Sequence, residues 1–220
     1  MPTSVKENYL KALYSLHING NNINITELSK KLNVSKPTVN NMIKSLEEHG
    51  WVIYKKYKPV IFTEKGQKQA ALIIRKHRLT EVFLNEIMGF GWEEVHEIAE
   101  EMEHIKSSKL FDRMDQMLNY PTTDPHGSPI PNSKGNVLEQ KHIELSKLNS
   151  GDTCELSALK NSSNALLLYL NEKKIQLGTE IQIIKREDFD GSLEICCDNK
   201  TTFTISTKVA NSLLVQSIKN

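Results

Sequence analysis

The sequence predicts a mainly α chain with a small β domain at its end, and three observations carry that expectation. The first third reads helix, helix, turn, helix, hairpin; a long helix and two shorter ones follow, rich in His and acid; and in the last third glycines punctuate short β-prone runs. The expected domains are 1–66, a winged helix-turn-helix; 67–140, a helical domain with a Pro-rich connector at 120–135; and 147–220, a small β-barrel.

Ser4-Val5-Lys6-Glu7 has the capping-box pattern, and Val5, Tyr9, Ala12, Leu13 and Leu16 then recur at helical spacing until Asn19-Gly20-Asn21-Asn22. A second short helix follows Thr26 with Leu28 and Leu32 inward, and Asn33 breaks it. Ser35 is a good N-cap and Pro37 fits a first turn, so a third helix starts there, with Val39, Met42, Ile43 and Leu46 as its buried stripe. His49-Gly50 closes it, and the runs Trp51 to Lys55 and Val60 to Thr63 flank the turn Lys56-Tyr57-Lys58-Pro59 as a wing.

In such a module the third helix enters the major groove of double-stranded DNA with its N-terminal residues toward the base edges. The stripe leaves Ser35, Lys36, Pro37, Thr38, Asn40, Asn41 and Lys44 as the candidates. Asn41 suits an adenine edge, Thr38 or Pro37 a thymine methyl, and Lys36 and Lys44 phosphate. Lys55, Lys56 and Lys58 on the wing add phosphate contacts. A solvated polar helix face is the plainer alternative.

Charge is segregated in the same sense. Residues 1–68 carry 11 lysines against 5 acids, a net +6; residues 69–140 carry 7 basic residues against 12 acids, a net −5; the remainder balances at 10 and 10. A basic first third suits a polyanion and an acidic middle suits a cation, unless both are solvated faces segregated by chance. No run approaches the roughly 18–20 apolar residues of a spanning helix. The start MPTSVKENYL lacks the basic and apolar regions of a signal peptide, so the expected location is cytoplasmic. Cys154, Cys196 and Cys197 form no CxxC pair and are expected to be reduced and structural.

From Thr63 a long helix is expected to reach about Met88, a length that suits a link into a dimer interface. Helices over about 93–105 and 108–118 follow. On the first of these, His96, Glu100, Glu103 and His104 project within a sector of roughly 100°. Two carboxylates and two imidazoles packed so closely repel unless protons or a cation intervene, and a divalent metal answers this directly; a solvated acidic face is the alternative. His77 and Glu81 add an i, i+4 pair on the long helix. Oxygen and imidazole donors favour Mn²⁺ or Fe²⁺ over metals that prefer thiolate. A winged-helix regulator answering a non-metal or redox signal through Cys196-Cys197 is a second reading. A metal-dependent hydrolase is a third, but the chain has neither HExxH nor a Gly-rich phosphate loop, and no enzyme activity is expected.

Tyr9-Leu10, the module through Gly50, Arg75-Lys76-His77-Arg78-Leu79-x-Glu81, His96-x3-Glu100-x2-Glu103-His104 and Pro125-His126-Gly127-x-Pro129-Ile130-Pro131 together resemble the diphtheria toxin repressor and manganese transport regulator family, in its three-domain form. The resemblance covers essentially the whole chain. It implies a winged-helix domain, a helical metal-binding and dimerisation domain, and an SH3-like terminal barrel of the iron-transport-protein-A type. It further implies repression of metal-uptake genes by a metal-loaded homodimer.

Carried onto this sequence, the resemblance implies a primary metal site of Asn8, Glu100, Glu103 and His104, with His77, Glu81, His96, Asp124 and His126 as ancillary ligands. Asn8 stands where the family carries Asp or Met, and a neutral amide oxygen is a weaker ligand than a carboxylate. Glu100 stands where iron-type members carry Cys, which resembles the manganese-responsive branch and favours Mn²⁺ over Fe²⁺. Asp124 replaces a Cys that some members contribute from the connector.

Overall fold

A computed structural model of the protein describes residues 3–18, 20, 23–56, 58–138 and 140–217. Asn19, Asn21 and Asn22 of the first loop, Tyr57 of the wing turn and Ile218 of the last expected strand lie outside them. The chain divides into two compact units: Met1–Thr80 with Ala99–Tyr120 and Ile130–Leu138, and Glu81–Ile98 with Pro121–Pro129 and Glu139–Asn220.

The first unit opens with helices α1 (Ser4–Ile18), α2 (Ile25–Leu32) and α3 (Lys36–Glu48). Strands β1 (Val52–Ile53) and β2 (Ile61–Phe62) form the wing, antiparallel, with Val52 opposite Phe62. Leu10, Leu13, Leu28, Val39, Ile43 and Leu46 are fully buried in one core with Val52 and Phe62. Burial of such a side chain contributes about 1.5–3 kcal/mol, enough for the stripe to fix which face of α3 is left for solvent.

The caps follow local chemistry. Asn24 Oδ1 accepts from the Glu27 amide at 2.9 Å, so α2 starts slightly earlier than Thr26. Ser35 Oγ accepts from the Thr38 amide at 3.3 Å, as expected for its cap. The capping box at Ser4 to Glu7 does not form: the Glu7 amide bonds the Thr3 carbonyl, the Lys6 amide reaches Thr3 Oγ1, and the Glu7 side chain turns inward. Wing and long helix meet tightly at Gly66, where a Cβ would lie 2.1 Å from the Trp51 carbonyl oxygen.

Helix α4 (Glu64–Val82) is shorter than expected, because the backbone widens into a π-helical turn over Phe83–Ile87. Helix α5 spans Val95–Met102 and α6 spans Ser108–Met117. Glu103 and His104 thus sit just beyond α5, although the Glu103 amide still bonds the Ala99 carbonyl at 2.9 Å. Lys76 Nζ donates to the Glu103 and Ile105 carbonyls, placing a cation where the helix ends.

The second unit is built on six antiparallel strands in the order β3-β8-β4-β5-β6-β7: β3 (Ile143–Glu144), β4 (Thr153–Leu159), β5 (Glu180–Arg186), β6 (Leu193–Cys197), β7 (Thr201–Ile205) and β8 (Leu213–Ser217). Helices α7 (Asn164–Lys173) and α8 (Thr207–Ala210) accompany them. Alternation puts Ile181, Ile183, Leu193 and Ile195 in a core with Leu156, Leu167 and Leu170. The expected closed barrel is not found among the described residues: β3 and β7 are the two edges and do not pair, so the sheet stays open. Period-2 alternation specifies strands and a buried face, but closure depends on stagger and bulges that it does not encode. No helix among the described residues is long and apolar enough to cross a membrane.

Candidate metal centres and nucleic-acid face

In the first unit, α4 presents His77 and the end of α5 presents Glu100 and Glu103, and one ligand atom from each lies within 4.8 Å of the others. Glu103 is the hub. Its carboxylate is fully buried, with Oε2 2.7 Å from both His77 Nδ1 and Lys11 Nζ. Lys11 Nζ also lies 2.5 Å from Glu100 Oε1. The other Glu103 oxygen, Oε1, is buried without a hydrogen-bond partner among the described residues, and His104 Nε2 stands 3.8 Å from it. A buried carboxylate oxygen left unpartnered is strongly disfavoured, so a cation there fits the donors present.

His104 is tied to the first helix by another residue than the resemblance implies. Glu7 is buried and its Oε2 meets His104 Nδ1 at 2.5 Å, whereas Asn8 is exposed. Glu7 and Lys11, one helical turn apart on α1, contact this cluster and were not among the candidates read from the sequence. Their i, i+4 spacing on one face was the available signal.

The second unit gathers Glu81, Asp124 and His126, all three buried, with ligand atoms within 4.8 Å of one another. The connector holds its two ligands by backbone geometry: Asp124 Oδ1 accepts from the His126 and Ser128 amides at 2.8 and 2.9 Å. Gly127 has φ +85° and lies so close to β4 that a Cβ would fall 2.3 Å from the Ser157 carbonyl oxygen; the Leu159 amide bonds the His126 carbonyl. His126 Nε2 is 2.9 Å from the Trp92 carbonyl, which can only accept. Nε2 therefore carries a proton, and Nδ1 stands 3.9 Å from both Glu81 Oε2 and Asp124 Oδ1. His96 Nδ1 lies 3.2 Å from Glu81 Oε1, with the imidazole more than half exposed at 57%.

Within the first unit His77 stands with Glu100 and Glu103, and within the second Glu81, Asp124 and His126 gather, with His96 beside Glu81. Donors in both groups are carboxylate oxygens and imidazole nitrogens, with no thiol. Such a set suits Mn²⁺ or Fe²⁺.

On the first three helices, Ser35, Lys36, Pro37, Thr38, Asn41 and Lys44 are exposed, as are Lys55, Lys56 and Lys58 on the wing. Asn40 is half-buried and its Oδ1 accepts from Tyr54 Oη at 2.9 Å, so its side chain braces α3 against the wing. Lys36, Lys44, Lys56 and Lys58 line one groove with Asn40 and Tyr54. Four ammonium groups around a groove form a surface suited to phosphate.

Three family models tile the chain: iron dependent repressor, N-terminal DNA binding domain, over residues 1–60; iron dependent repressor, metal binding and dimerisation domain, over 63–132; and FeoA domain, over 143–217. The iron-dependent repressor IdeR of Mycobacterium tuberculosis is 37% identical over 125 residues, which cover 57% of this chain and 54% of that protein. The chain thus spans about half the length of such curated relatives. A solved manganese-dependent transcriptional repressor complex with manganese superposes with a TM-score of 0.87 at 29% identity, covering 97% of this chain and 100% of the other. The structure of ScaR with bound Cd²⁺ gives 0.80 at 34% identity, covering 97% and 99%. The protein belongs to the iron-dependent repressor family, that of the diphtheria toxin repressor.

Proposed function

We propose that the chain is a metal-activated DNA-binding transcriptional regulator: a homodimeric repressor of metal-uptake genes, acting in the cytoplasm and loaded by Mn²⁺ or Fe²⁺, with Mn²⁺ favoured. The observation that carries this reading is the buried Glu103 carboxylate, whose Oε1 has no hydrogen-bond partner among the described residues at a point where residues of α1, α4 and the end of α5 converge. The names of the relatives, manganese-dependent and iron-dependent repressors, point the same way. So does the metal binding and dimerisation domain matched over residues 63–132.

In this reading Glu100, Glu103 and His104 hold the primary ion, with Glu7 or Asn8 completing it from α1, and Glu81, Asp124 and His126 hold a second, with His96 beside them. A bound divalent ion supplies the positive charge that lets these donors converge. Glu103 and His104 then fix the end of α5, and Glu7 fixes α1, which packs in the same core as α3. Restricting α1 in this way favours one placement of α3, and in a homodimer one spacing of the two recognition helices. A shift from 1:99 to 99:1 needs about 5.5 kcal/mol of differential binding, within reach of a multi-ligand site. The domain limits 1–66, 67–140 and 147–220 and an SH3-like character of the last belong to the same proposal.

Burial pushes the Cys154 thiol up to about 12 and the Cys197 thiol up to about 11, so neither forms an appreciable thiolate at neutral pH. The test is selection of duplexes from a randomised library by the full chain in MnCl₂, followed by binding of the selected duplex with and without EDTA at fixed salt. Binding lost on chelation and restored by Mn²⁺ supports the proposal; equal binding in both conditions overturns it.

A further inference from the structure

We infer that Lys11 is a tethered cation that competes with metal for the Glu100 and Glu103 carboxylates, and so sets how much free metal the chain needs before this site fills. The inference rests on the proposed primary site. Lys11 Nζ stands between the two acids, 2.5 Å from Glu100 Oε1 and 2.7 Å from Glu103 Oε2, with its side chain only 18% exposed. Charge-assisted contacts this short to two carboxylates are strong, the more so when one of the acids is fully buried. An ammonium group has three donors and no acceptor, so it can neutralise these oxygens but never join them as a ligand.

A metal ion and the ammonium cannot share the same oxygens. A divalent ion bonds oxygen at roughly 2.0–2.6 Å, which would bring it against an Nζ hydrogen-bonded to the same atoms, positive charge against positive charge. Filling the site therefore requires the Lys11 head to leave. Its four-carbon stem allows this, since lysine stems lie along a protein surface while the head reaches water. Glu7, one turn earlier on α1, stays on His104, so α1 carries both a group that holds the site together and one that must withdraw from it. In the metal-free chain Lys11 neutralises the acids; in the loaded chain its displacement weakens the apparent metal affinity.

Mn²⁺ binding to the full chain, measured by calorimetry for wild type and Lys11→Met, tests this. Lys11→Met keeps the apolar stem and removes the charge, and it is expected to bind roughly tenfold or more tightly at this site. Its metal-free melting temperature should fall, and the rise on adding Mn²⁺ should exceed that of wild type. Equal or weaker Mn²⁺ binding by Lys11→Met overturns the inference. A second measurement uses wild type alone: reductive methylation of Lys11, followed by mass spectrometry, should increase when Mn²⁺ is present. Unchanged labelling in a chain shown to hold Mn²⁺ also overturns it. Wild-type Mn²⁺ binding that is indifferent to Glu103→Gln instead refutes the site assignment on which the inference depends.

Discussion

The Glu7 carboxylate and the His104 imidazole meet at 2.5 Å, Oε2 against Nδ1, across 97 positions of sequence. The pair joins the first helix to the turn that carries Glu103 and His104, two of the candidate primary ligands. Asn8, the next residue along α1, is exposed.

Glu7→Gln should therefore weaken Mn²⁺ binding by about tenfold to a hundredfold, the usual loss when a group that holds or orients a metal ligand is removed. Asn8→Ala should have the smaller effect. Calorimetry on both variants decides the matter, and a larger loss from Asn8→Ala would return the α1 role to Asn8.

The second group depends on a glycine. Gly127 sits at φ +85° against the backbone of β4, with no room for a Cβ. Gly127→Ala should destabilise the chain by about 1–3 kcal/mol and displace Asp124 and His126. Metal analysis after gel filtration should find less retained metal at this group, while Mn²⁺ binding that depends on Glu103 persists.

Arg75 anchors the connector to the helical unit. Its Nη2 bonds Asp115 Oδ2 at 2.5 Å and its Nη1 bonds the Pro131 carbonyl at 2.8 Å. Both side chains of the pair are largely buried. Arg75→Ala leaves the Asp115 carboxylate without this partner and should lower stability by about 3 kcal/mol in urea unfolding of the metal-free chain. Arg75→Ala with Asp115→Ala should destabilise by less than the sum of the two single changes.

On the DNA face the two residue types should separate. Lys44→Ala is expected to weaken binding to every duplex and to reduce the salt slope by about one counterion. Asn41→Ala is expected to reduce discrimination by about 1–3 kcal/mol at one base position and to leave the salt slope unchanged. Fluorescence anisotropy across a salt series distinguishes these outcomes.

The winged module was legible because a helix with one apolar stripe has its outward face fixed by the stripe. Val39, Ile43 and Leu46 are fully buried and Ser35 caps α3, as their spacing required. The same spacing argument singled out Glu100 and Glu103, which the fold brings beside His77. Glu7 was hidden because Ser4-x-x-Glu7 also matches a local capping pattern; Thr3 meets the helix start instead, and the carboxylate serves a partner that no local pattern could name. Lys11 was counted with the basic residues of the first third, although its charge is spent inside the protein on Glu100 and Glu103. The barrel was over-read: alternating residues identified the strands, but the pairing of the edges that closes a barrel is a long-range property.

Glu103 carries the central claim, since its buried carboxylate is shared among His77, Lys11 and the space beside His104. The most direct test is a Mn²⁺ titration of DNA binding by wild type and Glu103→Gln, with the duplex selected by the wild-type chain and at one salt concentration. Glu103→Gln is nearly isosteric, and circular dichroism should match wild type. The account predicts that wild type gains affinity as Mn²⁺ rises while Glu103→Gln remains at its metal-free level. An undiminished Mn²⁺ response in Glu103→Gln would contradict it.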